Sequence, residues 1–229
     1  MTSTYVGSEL DLFAEAVHWK RYVAAVLTPY IGGRVAEIGA GIGSNIPYFR
    51  NPLVSEWLCV EPDPALAARI SKAATGVCTV HAGTLHDIES TRRFDTILYI
   101  DVLEHIRDDA AEFAAAAARL ASGGHLIVLA PAHQSLFSPF DTAIGHYRRY
   151  DRGSIVHLPA AAIGLVSCRY LDCVGYFASL ANRLLLRAAM PTRGQIALWD
   201  RLFVPLSRCL DPLLGYRFGK TVIGIWKAP

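Results

Sequence analysis

Short apolar runs alternate with amphipathic segments along the chain as far as Pro131. The apolar runs predict five strands, and helical spacing predicts one helix before the first strand and further helices between strands. The strands are "RVAEIG", "EWLCVE", "GVCTVHAG", "FDTILYID" and "GGHLIVLAP"; the first helix covers 9–29, and the others open at "SNIPYF", run from Pro64 to Lys72 and cover "DDAAEFAAAAARLA". Strands that alternate with helices are typical of a parallel sheet covered on both faces. We therefore predict an α/β fold with a doubly wound sheet.

The pattern changes after Pro131. Residues 132–152 are aromatic and basic without clear periodicity, which predicts a long loop. A sixth strand is predicted at 165–174, a mostly helical insert at 176–215, and a closing strand at "KTVIGIWKA". No domain boundary is apparent, so we predict a single domain over 1–229.

Composition excludes several classes of protein. The chain has 22 basic and 20 acidic residues and a net charge of +2, which argues against a nucleic-acid partner. Its five cysteines form no C-x-x-C pair and have no histidine at zinc-ligand spacing, so we predict a reducing compartment and no metal site. The chain shows neither a signal-peptide pattern nor an apolar run long enough for a membrane span. We therefore predict a cytoplasmic protein.

Three glycines at alternate positions, Gly39, Gly41 and Gly43, follow the first strand. A dinucleotide fingerprint would space them G-x-G-x-x-G and set a pyrophosphate on the next helix. Here Glu37 precedes the turn, where a carboxylate would repel phosphate and attract an amino group. Glu61 ends the second strand, a position from which an acid accepts hydrogen bonds from ribose. Together these features favour S-adenosylmethionine as the ligand.

Four segments strengthen this interpretation: "VAEIGAGIG", "CVEPDP", "FDTILYIDVLEHI" and "LASGGHLIVLAP". In this order they resemble motifs of class I S-adenosylmethionine-dependent methyltransferases, over residues 34–131. The segment "GHYRRY" also resembles a bacterial subgroup of small methyltransferases. The resemblance implies a seven-stranded, mostly parallel sheet with an antiparallel last strand, here with an N-terminal helical cap and a C-terminal helical insert before that strand.

The resemblance also implies the cofactor contacts. The methionine part would lie against the glycine turn, the ribose at the end of the second strand, the adenine after the third strand and the sulfonium after the fourth. The residues at the glycine turn are Glu37, Gly39, Ala40, Gly41 and Gly43, and those at the end of the second strand are Glu61 and Pro62. The third strand is followed by Gly83, Thr84 and Leu85, and the fourth by Asp101, Val102 and His105. Thr84 stands where the family commonly has an aspartate. Trp19 either closes over the cofactor, since aromatic faces attract a sulfonium, or packs in the core.

Asp101, His146 and Tyr147 are the catalytic candidates. A hydroxyl or acidic-carbon acceptor must lose a proton, and a histidine titrates near neutral pH. The alternative is that "HYRRY" only holds the 132–152 loop in place, leaving catalysis to alignment and exclusion of water.

We therefore predict methyl transfer from S-adenosylmethionine to a small molecule, with S-adenosylhomocysteine as product and O-methylation ahead of C- or N-methylation. A nicotinamide-dependent (NAD(P)) oxidoreductase and a non-catalytic cofactor-binding module are the alternatives. The 132–152 loop and the 176–215 insert would form the acceptor site. Arginines 183, 187, 201 and 208 lie among leucines in the insert, which predicts packing on the sheet, a dimer face, or a membrane surface with a lipid-linked acceptor. Both a monomer and a homodimer fit these features.

Overall fold

The computed structural model describes residues 8–73, 76, 78–158, 163–185 and 192–229. Within these ranges, seven strands form one sheet. They are β1 (Gly33–Ile38), β2 (Val54–Glu61), β3 (Thr79–Ala82), β4 (Phe94–Ile100), β5 (Leu120–Pro131), β6 (Gly164–Leu171) and β7 (Thr221–Lys227). Their order across the sheet is β3-β2-β1-β4-β5-β7-β6.

The strand pairing confirms the predicted sheet. Strands β1 to β5 pair in parallel, and β7 runs antiparallel to both β5 and β6. In the register, Glu37 on β1 lies opposite Cys59 on β2 and Leu98 on β4. The ends of β1, β2 and β4 therefore meet at one edge, which is where open α/β sheets bind ligands.

Helices cover both faces of the sheet. They are α1 (Ser8–Ala14), α2 (Val17–Leu27), α3 (Ile46–Phe49), α4 (Pro64–Ala73), α5 (Asp109–Ala117), α6 (Pro139–Ala143), α7 (Arg152–Val156), α8 (Cys173–Leu185), α9 (Arg193–Leu198) and α10 (Val204–Leu213). One core layer packs α5 and α7 against the sheet through Phe113 and Ile155. The other packs α2 and α10 through Leu27 and Val204. Because both faces of the strands are buried, their residues read as nearly continuous apolar runs.

The single helix predicted over 9–29 is wrong, because the chain breaks between α1 and α2. Ala16 precedes α2 and offers no side-chain cap. The carboxylate of Asp200 accepts hydrogen bonds from the backbone N–H groups of His18 (3.2 Å) and Trp19 (2.8 Å) instead. The first turn of any helix leaves N–H groups unpaired. Asp200 accepts hydrogen bonds from two of them and so stabilises α2 as a separate helix.

The helical insert before the last strand is present as α8, α9, a π-helical turn at Trp199–Phe203, and α10. Part of the predicted insert, including Arg187, lies outside the described residues, as do residues 1–7. Asp172 anchors the insert at the end of β6, where it accepts hydrogen bonds from Trp199 Nε1 (2.6 Å) and Ser207 Oγ (2.7 Å). Among the helices of the described ranges, none combines the length and apolarity that a membrane crossing requires.

Candidate functional site

A cavity of about 1060 Å³ opens at the carboxyl edge of the parallel strands. It extends from the glycine turn after β1 to the loop after β5. Helices α1 and α2 and the helical insert contribute further parts of its wall. A cavity of this size holds a cofactor together with a small second ligand.

The glycine turn has the backbone conformation that its spacing predicts. Gly39, Gly41 and Gly43 have φ values of +66°, +59° and +73°, which side chains rarely adopt. A Cβ atom on Gly39 would lie 2.6 Å from Cγ2 of Val102. Gly39, Ala40 and Gly41 line the cavity together with Val102. Glycine is therefore required at position 39 both by the turn and by its close approach to the β4 loop.

Glu61 lies at the end of β2, lines the cavity and fixes the glycine turn. Its Oε2 accepts a hydrogen bond from the N–H of Gly41 (2.7 Å), and its Oε1 accepts one from the N–H of Asp63 (2.9 Å). Burial raises the pKa of the Glu61 carboxyl, and these two N–H groups oppose the rise. Each carboxylate oxygen can accept more than one hydrogen bond, so Glu61 can still accept from ribose hydroxyls. Pro62, next in the chain, also lines the cavity.

Glu37 is fully buried, and its carboxylate is not among the groups that line the cavity. Asn45 Nδ2 donates to Oε1 (3.0 Å), and Trp57 Nε1 donates to Oε2 (3.2 Å). Burial raises the pKa of Glu37 to about 7, although both hydrogen bonds and the nearby Lys20 act in the opposite direction. Glu37 therefore stabilises the residues around the turn through these hydrogen bonds. Its position outside the cavity lining does not support the direct contact with the methionine part that the sequence predicts.

Lys20, on α2, was missed by the sequence analysis. Its ammonium group is buried, lines the cavity and donates a hydrogen bond to Ser44 Oγ (2.9 Å) beside the glycine turn. Burial lowers its pKa to about 8, while Glu37, Asp200 and Asp101 act to raise it. Lys20 looks in sequence like any polar position on an amphipathic helix, so its spacing carries no signal. It supplies a positive charge next to the turn.

Trp19, one residue earlier on α2, lines the cavity and also packs against the core layer of α2, so the structure is compatible with both positions that the sequence allows. Its ring is half-buried and lies 5.6 Å from the ring of Trp199, in the insert. Helix α2 and the helical insert are thus in contact through the indole rings of Trp19 and Trp199. Aromatic faces attract cations, and the Trp199 ring already has the ammonium group of Lys220 over it, 3.8 Å from the ring centroid.

Asp101 follows β4 and lines the cavity between the glycine turn and the 132–152 loop. It adopts a φ of +54°, and its N–H donates to the carbonyl of Leu129 (2.9 Å). A non-glycine residue in this region is strained, and such strain is concentrated at functional sites. The side chain is accessible from the cavity, yet the surrounding protein still desolvates it. This raises the pKa of Asp101 to about 6, against the opposing effects of His146, Lys220 and Lys20.

His146 lines the opposite part of the cavity and is held by Asp141. The ring Nδ1 lies 2.9 Å from Asp141 Oδ1. Asp141 is fully buried and also accepts hydrogen bonds from Ser138 and from Arg149 Nε (2.8 Å) and Nη2 (2.9 Å). These donors hold the pKa of Asp141 far below its ordinary value, in spite of its burial. A histidine bonded in this way through Nδ1 presents Nε2 for chemistry.

Two neighbours complete this end of the cavity. Glu104 and His105 form the short helical turn after Asp101, and both line the cavity. The rings of His105 and His146 meet edge to face with centroids 4.5 Å apart. Burial lowers the pKa of His105 to about 4, reinforced by His146. Burial and the charge of Asp101 raise the pKa of Glu104 well above its ordinary value, while its own backbone N–H and Arg149 oppose the rise.

The structure places several other predicted site residues away from the cavity. Tyr147 is half-exposed, and the guanidinium groups of Arg107 and Arg148 lie 5.8 and 5.9 Å from its ring centroid. Thr84 forms a capping interaction with Asp87, which accepts from both its N–H and its hydroxyl (2.7 Å each). Three further predicted site residues, Gly43, Gly83 and Leu85, do not line the cavity either. None of these five predicted residues is among those that line the cavity.

Known proteins share this arrangement of elements. N-methyltransferase NodS from Bradyrhizobium japonicum, in complex with S-adenosyl-L-homocysteine, superposes with a TM-score of 0.57 at 11% identity, over 93% of this chain and 86% of that chain. Coclaurine N-methyltransferase, bound to N-methylheliamine and S-adenosylhomocysteine, gives 0.62 at 11% identity, over 91% and 72%. The [4+2]-cyclase SpnF gives 0.62 at 12% identity, over 98% and 95%. At these identities the likeness establishes the fold alone.

Sequence comparisons give one negative and one positive result. A search of curated proteins finds no match to this chain. A family model described as "Methyltransferase domain" matches residues 13–163, which is more than half of the chain. The match includes the glycine turn, Glu61, Asp101 and the whole 132–152 loop. The chain therefore belongs to the methyltransferase domain family.

Proposed function

We propose that this chain transfers the methyl group of S-adenosylmethionine to a small-molecule acceptor and releases S-adenosylhomocysteine. One observation carries the proposal: a single cavity joins the glycine turn and Glu61 at one end to His146 at the other. The first end has an acceptor for ribose hydroxyls and charged groups that match the methionine part, and the second has groups that can activate an acceptor. Methyl transfer requires both ligands in one enclosed space.

In this proposal the cofactor lies along the ends of β1, β2 and β4. Glu61 accepts hydrogen bonds from the ribose hydroxyls. Lys20 pairs with the carboxylate of the methionine part, because its ammonium group lies beside the glycine turn. Asp101 faces the positively charged ammonium and sulfonium groups, and Trp19 covers them. A carboxylate on one side and a cation on the other match the zwitterionic end of S-adenosylmethionine.

The acceptor lies between Asp101 and the 132–152 loop. Its nucleophilic atom attacks the methyl carbon, the carbon–sulfur bond breaks, and the electron pair of that bond goes to sulfur. When the acceptor is a hydroxyl, His146 takes the proton, since Asp141 orients its ring. The presence of this oriented base favours an acceptor that must lose a proton, a hydroxyl or an acidic carbon, over a neutral amine, and O-methylation is the first of these to test. Tyr147 has no part in this mechanism, because its ring lies on the surface.

A lipid-linked acceptor is a second candidate, favoured by a stripe of exposed leucines on the insert. Leu198, Leu202, Leu206, Leu210 and Leu213 follow one another at helical spacing and are between 40% and 81% exposed. Leu198 also lines the cavity, so the leucine stripe starts at its wall. Exposed Arg201 and Arg208 flank the stripe. Contiguous apolar surface with basic neighbours is typical of helices that lie on anionic membranes.

Calorimetric titration with S-adenosylhomocysteine tests the cofactor assignment. Binding is expected, whereas NADH should not bind, because the G-x-G-x-G turn lacks the G-x-G-x-x-G spacing that sets a pyrophosphate on the next helix. The protein should then be incubated with S-adenosylmethionine and panels of hydroxyl, phenol and amine acceptors, and S-adenosylhomocysteine release measured. This second step matters because a fold does not determine a reaction, as the cyclase of the same fold illustrates. Binding without turnover for every acceptor would favour the non-catalytic module.

A further inference from the structure

We propose that Glu104, His105 and His146 bind a divalent transition-metal ion at the acceptor end of the cavity. One ligand atom from each residue can be chosen so that all lie within 4.8 Å of one another. Glu104 and His105 come from the turn after β4, and His146 comes from the 132–152 loop. The three residues therefore converge only in the folded chain, where they line the same cavity.

The Glu104 carboxylate is the strongest indication of a missing cation. It is fully buried, and no described group donates a hydrogen bond of normal geometry to either of its oxygens. The nearest cationic candidate is His146, whose Nε2 lies 3.8 Å from Oε1, beyond hydrogen-bonding distance. A buried carboxylate without a partner is costly. A metal ion would supply the partner that this side chain lacks.

The two histidines are already oriented as metal ligands. The Nδ1 atom of His146 is hydrogen-bonded to Asp141 (2.9 Å), which leaves Nε2 directed towards Glu104. The ring of His105 is hydrogen-bonded to the backbone of Gly145. Histidines that bind metals almost always use their second nitrogen in this way, with a carboxylate or a backbone carbonyl as partner. The outer hydrogen bonds of a metal site are therefore present on both rings.

The ligand types point to zinc or a similar ion. Two imidazoles and one carboxylate suit Zn²⁺, Fe²⁺ or Mn²⁺ and leave further positions open for an exogenous ligand. Ligand atoms around a tetrahedral Zn²⁺ lie roughly 3.3 to 3.5 Å apart, given bonds of about 2.0 to 2.2 Å. The present 3.8 Å between Glu104 Oε1 and His146 Nε2 would need to shorten by a few tenths of an ångström. The widest separation in the cluster, up to 4.8 Å, would need to shorten by up to about 1.5 Å, which side-chain rotation can supply.

The consequence for catalysis depends on the proposed function. A metal ion at this position would act as a Lewis acid on the acceptor and favour loss of its hydroxyl proton. His146 would then be a ligand, because the Nε2 atom that would take the proton is bound to the metal. The cofactor end, with Glu61 and Lys20, lies outside the cluster and is unaffected by this assignment.

The experiment uses the full chain without S-adenosylmethionine. The protein is dialysed against a chelator and titrated with Zn²⁺ in a calorimeter, and separately with Co²⁺ while the visible absorption is recorded. We expect one ion per chain and the absorption bands of cobalt bound through nitrogen and oxygen. Glu104→Gln and His105→Ala should each weaken binding by more than the roughly 10- to 100-fold that loss of an outer hydrogen bond causes.

His86→Ala is the matched control. His86 also lies beside a buried carboxylate, with Nε2 2.8 Å from Glu112 Oε2, but this pair is outside the cavity. Metal affinity should be unchanged in this variant. Absence of stoichiometric Zn²⁺ or Co²⁺ binding by the wild type overturns the proposal, as does binding that both cluster variants leave intact.

Titration with S-adenosylhomocysteine keeps the two proposals separate. A protein that binds metal but not S-adenosylhomocysteine retains the metal site and loses the proposed function. A protein that binds S-adenosylhomocysteine but no metal does the reverse, and assigns Glu104 to a cationic acceptor such as an amine. Because the cobalt spectrum is recorded on the wild type, a variant that fails to fold does not affect this result.

Discussion

The Oε2 atom of Glu61 lies 2.7 Å from the backbone nitrogen of Gly41, and the N–H of Gly41 donates to it. The second strand thus fixes the turn that follows the first strand. The same carboxylate lines the cavity. The residue proposed to bind ribose also holds the backbone against which the methionine part would lie.

Glu61→Ala should weaken S-adenosylhomocysteine binding by about 1 to 3 kcal/mol, roughly 5- to 150-fold in Kd. The variant loses the ribose acceptor and leaves the Gly41 N–H without its partner. Titration calorimetry measures the change, with Glu56→Ala on the same strand as the control. Equal affinity for the wild type and Glu61→Ala would remove Glu61 from the site.

Gly39→Ala should abolish measurable cofactor binding and lower stability. Its Cβ would collide with Val102 in addition to the strain of a φ of +66°. Gly215→Ala is the matched control, since its φ is +59° and a Cβ there meets no atom within 4 Å. The control should lose about 1 to 2 kcal/mol through backbone strain alone. Urea unfolding of both variants separates the collision from the strain, and equal losses would contradict the close approach.

His146→Ala should lower turnover by about 10²- to 10⁴-fold, the usual contribution of a positioned acid or base. Affinity for S-adenosylhomocysteine should stay within a factor of a few, because His146 lies at the other end of the cavity. The assay is initial-rate release of S-adenosylhomocysteine with an acceptor that the wild type methylates. Unchanged turnover would indicate that the 132–152 loop acts by alignment and exclusion of water alone.

Glu37 should make the protein less stable as the pH rises. Its pKa is about 7 when folded against an ordinary 4.5, so between these values the folded state retains a proton that the unfolded state has released. The free energy of unfolding therefore falls from about pH 4.5 to about pH 7. Glu37→Gln should remove up to about 3 kcal/mol of this fall, at about 1.4 kcal/mol per pKa unit. Urea unfolding across this range tests it, and parallel curves for wild type and variant would count against it.

The leucine stripe should bind lipid if the acceptor is lipid-linked. We expect the wild type to sediment with vesicles that contain an anionic phospholipid, and the double variant Leu206→Glu and Leu210→Glu to remain in solution. Leu53→Glu, at an exposed leucine outside the stripe, is the control. If the wild type ignores vesicles, this second candidate fails. A dimer that the double variant dissociates would assign the stripe to a second copy of the chain.

The sheet was predictable because its central strands β1, β2 and β4 are largely buried on both faces, whereas the edge strands β3 and β6 are partly exposed. Strands buried on both faces are continuous apolar runs that end in glycine or an acid, as β1 does before Gly39 and β2 does at Glu61. Parallel order then places their ends together. The break between α1 and α2 was not predictable, because the carboxylate that caps α2 is 182 residues from its partner His18.

The cavity was predictable only in part, for the same reason. Gly39, Glu61 and Asp101 stand at strand ends and were identified by position. Lys20 occupies an ordinary polar position of a helix, and its importance arises from burial. Tyr147 was wrongly grouped with its neighbour His146, because adjacent residues of an irregular loop can point in opposite directions.

Asp200 connects the beginning of the chain with its far end, since it caps α2 from within the insert. During synthesis, β1 to β5 emerge from the ribosome long before this carboxylate exists. Helix α2, which carries Trp19 and Lys20, has no such cap until then. The binding chamber is therefore closed late, after the parallel strands β1 to β5 have been synthesised, and long-range contacts of this kind form slowly.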